Sequence, residues 1–180
     1  MATLELIDRI TTNLATRQKY LSVFMDLSKA FDTIDHTILL RKLHLYGFSP
    51  SAVNLIKSYL TDRTQFVTYK GTPSDLHEIK LGIPQGSIMG PLLFIIYIND
   101  INRCSNILEA ILYADDSTFS VCLDTLDIPV EGDKQPDYGR VVSIELDMVS
   151  QWLVTNSMCL NVQKTKFMIF NKTIAILTFL

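Results

Sequence analysis

The chain has 180 residues, enough for one domain or a piece of a larger one, and a chain this long can bury about 70% of its unfolded surface. Hydrophobic residues make up 48%, and 7 glycines with 6 prolines exclude a collagen-like or low-complexity chain. Charged residues are only 19%, below the roughly 25% usual for soluble domains, so the surface expects a partner or more of its own chain.

The net charge of −3 argues against a free-standing nucleic-acid binder, which usually carries a basic footprint. Its distribution is uneven: residues 1–70 carry 9 basic and 6 acidic side chains, 71–140 carry 4 and 11, and 141–180 carry 3 and 2. Negative charge gathered in the middle third either repels polyanions or holds cations for them. The longest apolar run, Leu92 to Ile98, is too short to cross a bilayer. The first ten residues have no basic leader, so neither a secretory signal nor a membrane partner is expected. Cys104, Cys122 and Cys159 are odd in number and lack metal-ligand spacing, which fits free thiols in a reducing compartment.

In chain order, Leu6, Ile7, Ile10 and Leu14 recur at helical spacing. Tyr20 to Met25 reads as a buried strand ending at Asp26. Ile38 to Leu45 predicts a helix stopped at Gly47, and Ser49-Pro50 opens another through Ile56 and Leu60. Gln65 to Lys70 and Leu76 to Leu81 predict two strands across the turn Gly71 to Ser74. Pro91 to Ile101 predicts a buried helix with Ser87 as N-cap. Ile107 to Tyr113 and Thr118 to Leu123 predict strands flanking Ala114-Asp-Asp-Ser117. Asp124 to Gly139 reads as an acidic surface loop, followed by a helix with Val141, Ile144, Met148 and Trp152 on one face. Lys166 to Phe170 and Ile174 to Leu180 predict a closing hairpin, and the last residues, with no polar tail, read as a cut end. Mixed strands and helices in this order predict an α+β layer fold, a sheet with helices packed on one face.

Asp26 ends an apolar strand, and Asp115-Asp116 sits in a turn between two others. Carboxylates in such places are not core residues unless paired or liganded. The 89 positions between Asp26 and Asp115 leave only folding to unite them. United, they would repel, and a divalent cation would relieve the repulsion. From the carboxylates alone two readings stay open, a metal site for phosphoryl transfer and ordinary turn formers or helix caps.

Longer words narrow the choice. Phe24-Met-Asp-Leu-Ser-Lys-Ala-Phe-Asp-Thr-Ile-Asp-His36 resembles the first palm motif of reverse transcriptases from LINE-type (non-LTR) retrotransposons. Leu81-Gly-Ile-Pro-Gln-Gly-Ser-Ile-Met-Gly-Pro-Leu-Leu-Phe94, continuing to Tyr97-Ile-Asn-Asp100, resembles the second motif, and Tyr113-Ala-Asp-Asp116 the catalytic turn. Trp152 and Leu160-Asn-Val-Gln-Lys-Thr-Lys166 resemble the segment that follows. The four motifs stand in the family's order, and the similarity runs from about Leu4 to about Phe170.

The resemblance implies a palm-like antiparallel sheet, truncated at both ends, carrying RNA-directed DNA polymerase activity. Asp26, Asp115 and Asp116 would be catalytic, holding two Mg²⁺ ions (or Mn²⁺ in their place) together with the Leu27 carbonyl. Phe31 would stand under the sugar and exclude a 2′-hydroxyl, Gln85 and Gly86 would line the nucleotide pocket, and Lys164 would face the triphosphate. Partners would be an RNA template, a DNA primer and deoxynucleoside triphosphates, in the nucleus or cytoplasm. The family's basic fingers would precede Met1, and its primer grip and thumb would follow Leu180. The chain would then be the palm with a sliver of fingers. Two other readings stand beside the enzyme: an inert retroelement remnant, and a domesticated module that binds nucleic acid or protein without catalysis. His36 accompanies the first motif, whereas His44 and His77 read as surface or helix-end residues.

Overall fold

The computed structural model describes residues 2–128, 136–171 and the backbone of 175–177. The chain forms two compact units, Met1–Ser28 with Asp100–Thr155 and Cys159–Leu180, and Lys29–Asn99 with Asn156–Met158.

The first unit is built on β1 (Tyr20–Met25), which is buried on both faces, as its apolar run demands. In the five-stranded antiparallel sheet β1 lies at the centre, between β7 (Asp116–Cys122) and β8 (Lys166–Phe170). The edges are β6 (Glu109–Tyr113) and β9 (Ala175–Leu177). Val23 pairs with Phe119 on one side and Phe167 on the other, which fixes Leu21, Val23 and Met25 on one face by alternation. Helix α1 (Ala2–Ala15) lies along β6 and β1, and Arg9 forms an ion pair with Glu109. Helix α5 (Tyr138–Thr155) buries Val142, Glu145, Val149 and Leu153.

That buried stripe is rotated by one residue from the expected face of Val141, Ile144, Met148 and Trp152; Ile144 is exposed. The cause is Glu145, whose carboxylate accepts from the Ser105 hydroxyl at 2.6 Å and the Asn106 amide at 3.1 Å. A buried carboxylate so paired is tolerated, and a reading that places every glutamate outside must miss the stripe. The expected strands around the Ala-Asp-Asp turn are present, with β6 beginning at Glu109 rather than Ile107 and β7 at Asp116 rather than Thr118. The closing hairpin pairs Phe167 with Leu177 and Ile169 with Ala175. Residues 172–174 and 178–180 of that reading, and 129–135 of the acidic loop, lie outside the described residues.

In the second unit α2 (His36–Leu45) starts at Asp35, whose Oδ1 accepts from the Thr37 and Ile38 amides. Helix α3 (Pro50–Leu60) starts at Ser49, whose hydroxyl accepts from the Ala52 amide. These are the side-chain caps that orphaned first-turn N–H groups require. Helix α4 (Met89–Ile98) is apolar throughout and buries Leu93, Phe94, Tyr97 and Ile98; a short 3₁₀ turn follows over Asn99–Arg103. Ser87 stands one residue outside the N-cap position, held by Ile88, yet its hydroxyl still accepts from the Gly90 amide at 2.9 Å.

The two strands expected over 65–70 and 76–81 are instead two short ladders. β2 (Thr64–Gln65) pairs with β5 (His77–Glu78), and β3 (Thr68–Tyr69) with β4 (Thr72–Pro73). Between the ladders Ser74 offers its hydroxyl, in place of a backbone carbonyl, to the Val67 amide at 3.0 Å, which breaks the ladder. The reversal lies at Lys70-Gly71, both at positive φ, rather than across Gly71 to Ser74.

Candidate active site

In the first unit the strand register sets the carboxylates. Met25 pairs with Ser117, so continuing the antiparallel register by one residue sets Asp26 opposite Asp116. Asp115 is at the tip of the β6–β7 hairpin, where Tyr113 pairs with Asp116 across a two-residue loop. Ala114 in that loop holds φ +52, a left-handed conformation that costs a residue with a Cβ roughly 1–2 kcal/mol. Strain of this kind persists where the surrounding strands over-determine the turn. Asp115 and Asp116 are exposed, and Asp26 is half-buried.

Past its last ladder pair, the end of β1 is clasped by the segment 159–161. The Ser28 amide donates to the Cys159 carbonyl, and the Asn161 amide donates to the Asp26 carbonyl, both at 2.8 Å. Leu27 and Leu160 face each other between these bonds as a non-hydrogen-bonded pair. In such a pair the residue's own N–H and C=O point away from its partner strand. The Leu27 carbonyl therefore points away from 159–161. The turn after the clasp carries Lys164, whose Nζ stands 3.7 Å from Asp26 Oδ2. With the lysine side chain 70% exposed, this pair adds little to stability; its content is positional.

The second unit holds the other expected residues. Phe31 stacks on Phe94 of α4, ring centroids 4.6 Å apart and planes at 24°. Gln85 donates from Nε2 to Asp32 Oδ1 at 2.9 Å, which orients its amide, since an ionised carboxylate only accepts. Gly86 is at φ +78 with open space where a Cβ would be. Gly82 is packed hard: a Cβ there would lie 2.8 Å from the Asp32 Cα. The Gly82 amide donates to the Ile34 carbonyl, the Ile83 amide to the Phe31 carbonyl, and the Gly82 carbonyl meets His36 Nε2 at 2.7 Å. These bonds hold the loop of the second motif on the turn of the first.

Among the described residues no three His, Cys, Asp or Glu side chains gather closely enough to cage a metal ion. The donor set nevertheless fits Mg²⁺. That ion takes hard oxygen ligands, and it is usually held by one or two carboxylates completed by substrate phosphates and water, not by an all-protein cage. Asp26, Asp115, Asp116 and the Leu27 carbonyl offer such oxygens.

Sequence reasoning missed Asp32, the partner of Gln85, and Lys29 and Arg63, which with them line a cavity of about 610 Å³ in the second unit. Lys29 and Asp32 stood inside the first motif, whereas Arg63 belongs to none of the quoted words. Only its place between α3 and β2 could have marked it.

The family model for "reverse transcriptase (RNA-dependent DNA polymerase)" matches residues 2–179. The RNA-directed DNA polymerase from mobile element jockey of Drosophila funebris is 31% identical over 160 residues, covering 85% of this chain and 16% of that protein. The protein of the same name from Drosophila melanogaster is 34% identical over 101 residues, covering 52% of this chain and 11% of its own length. The chain thus spans less than a fifth of either relative. Among solved structures, telomerase from Candida tropicalis in complex with a fragment of telomeric RNA has a TM-score of 0.66 at 12% identity, over 95% of this chain and 29% of that one. That likeness speaks to the fold, which is the palm-like α+β arrangement the motifs imply.

Proposed function

Because the chain belongs to the reverse transcriptase (RNA-dependent DNA polymerase) family, we propose that it is the palm, with a sliver of fingers, of a LINE-type retrotransposon polymerase. The reaction adds deoxynucleotides to a DNA primer paired with an RNA template. The observation that carries this reading is the shared sheet end: Met25 paired with Ser117, one residue short of Asp26 and Asp116, Asp115 at the adjoining hairpin tip, and Lys164 3.7 Å from Asp26.

Asp26, Asp115, Asp116 and the Leu27 carbonyl hold the two Mg²⁺ ions in this reading. When bound, the pair lowers the pKa of the attacking primer hydroxyl and offsets charge on the leaving pyrophosphate. Lys164 adds positive charge beside Asp26 and would donate a proton to the leaving group. Phe31, braced by Phe94, cannot move aside easily, so a ribose 2′-hydroxyl meets a fixed ring. Asp32 takes one N–H of the Gln85 amide, which leaves Oε1 and the second N–H as an acceptor and a donor for the nucleotide. Gly86 leaves open space at its Cα for close approach.

Primer extension on an RNA template with deoxynucleotides and Mg²⁺ or Mn²⁺, beside Asp115→Ala, is the test. Extension that the substitution abolishes supports the assignment; extension that survives in both Asp115→Ala and Asp26→Ala overturns it. A readout independent of turnover is paramagnetic broadening by Mn²⁺ of the Asp26 and Asp115 amide signals, expected to vanish in Asp26→Asn.

A further inference from the structure

The arm formed by β2 to β5 has two edges of opposite character. Among the described residues no further strand pairs with either side of the arm. The returning strand is guarded: it carries Pro73, Asp75 and Glu78, and residues 74–76 stand against only 66 and 67 between the Thr68–Pro73 and Gln65–His77 pairs. A proline, charges and a bulge are the devices that stop an edge from pairing further. The outgoing strand has none of them. Thr64 to Tyr69 holds no charge, proline or glycine, and five of its six residues are β-branched or aromatic, the composition that favours strand addition. Phe66, Val67 and Tyr69 are 56%, 71% and 71% exposed.

The bonds of the arm leave that edge open in register. The Arg63 carbonyl accepts from the Ile79 amide and the Val67 carbonyl from the Ser74 amide, both at 2.8 Å, while the Val67 amide donates to the Ser74 hydroxyl. Odd-numbered residues therefore bond inward, and along an extended strand the next residue's N–H and C=O face the other way. Thr64, Phe66 and Thr68 turn theirs to the bare edge. A second strand 63–69 laid antiparallel about Phe66 sets Phe66 opposite Phe66, Gln65 opposite Val67, Thr64 opposite Thr68 and Arg63 opposite Tyr69. Aromatic pairs and Thr–Thr pairs stabilise antiparallel strands, an arginine beside a ring is favourable, and no like charges meet.

We propose that Thr64–Tyr69 is a dimerisation edge whose partner is the same strand of a second copy, joined about a two-fold axis at Phe66. Thr64, Phe66 and Thr68 of each copy donate an N–H and offer a C=O across the axis in the antiparallel pattern. The near-palindrome about Phe66 selects a second copy over an unrelated strand. The pairing is isologous and stops at two, because it consumes both bare edges and leaves the guarded strands outermost in a four-stranded ribbon. It does not rest on the polymerase reading.

The test is sedimentation equilibrium of the full chain over about 1–200 µM, where so small an interface predicts a dimer with Kd on the order of 10 µM. Phe66→Lys sets like charges on the axis and should weaken the dimer about tenfold, and Phe66→Glu should do the same. An equimolar mixture of these two variants should dimerise again, because each ammonium then faces a carboxylate, a recovery that a damaged fold cannot give. Thr68→Pro removes an N–H that only the partner uses, so it should also weaken dimerisation while leaving the far-UV circular dichroism spectrum unchanged. A wild-type chain that stays monomeric throughout the concentration range overturns the proposal. So does a dimer that survives both Phe66→Lys and Thr68→Pro, a mixture that does not recover, or growth beyond the dimer.

Discussion

Gly82 offers the sharpest test of how the second unit is held. An alanine there needs φ +83 and brings its Cβ to 2.8 Å from the Asp32 Cα, 2.9 Å from the Asp32 carbonyl oxygen and 3.0 Å from its carbon. The left-handed conformation costs about 1–2 kcal/mol, and overpacking against backbone that cannot swing aside adds about 1–3 kcal/mol. Gly82→Ala should therefore lose about 2–5 kcal/mol of stability. Gly86→Ala is the internal control, with a similar φ of +78 but nothing within 4 Å of the new Cβ, so only the conformational cost of about 1–2 kcal/mol applies. Urea denaturation followed by far-UV circular dichroism measures both. Equal midpoints for the two variants would refute the claim that backbone contact with Asp32, rather than dihedral strain, governs Gly82.

Other perturbations have definite outcomes. Ala114→Gly removes left-handed strain at φ +52 and should raise stability by about 0.5–1 kcal/mol after the added chain entropy, seen as a higher urea midpoint. Glu145→Ala leaves the Ser105 hydroxyl and Asn106 amide without their buried acceptor and should cost about 2–3 kcal/mol, whereas Glu145→Gln keeps an acceptor and should cost about half as much. Burial, reinforced by Glu145 and Asp100, holds the Cys104 thiol above the ordinary cysteine range, so less of it is thiolate at any given mildly alkaline pH. Iodoacetamide followed by peptide mass mapping should modify exposed Cys159 well before Cys104.

What the sequence made legible follows from which forces are local. Helix starts were readable because a cap is a contact over two or three residues: Asp35 with Thr37 and Ile38, Ser49 with Ala52. β1 was readable because a strand buried on both faces must be an unbroken apolar run. The α5 stripe was misread because Glu145 is buried by a bond to residues 105 and 106, about forty positions away, which periodicity cannot sense. The hairpin before the second motif was misread because one side chain, Ser74, interrupts an otherwise plausible ladder. The carboxylates were named from strand ends and motif words, but their alignment depends on the pairing of Met25 with Ser117. Lys29 stood inside the first motif and Arg63 in none, and no word announced the cavity they line.

The central place of β1 also sets a kinetic problem for the newborn chain. Val23 meets Phe119, 96 positions later, and Phe167, 144 positions later. At roughly 5–20 residues per second of synthesis, β1 leaves the ribosome some 5–20 s before its first neighbour exists. Until then an apolar strand with two bare edges is open to pairing with other chains. Such distant partners make folding slow. The helices of Lys29–Asn99 appear in the interval, from contacts that are mostly local. The order of folding should therefore run against the order of synthesis, with the earliest strand among the last elements to find its place.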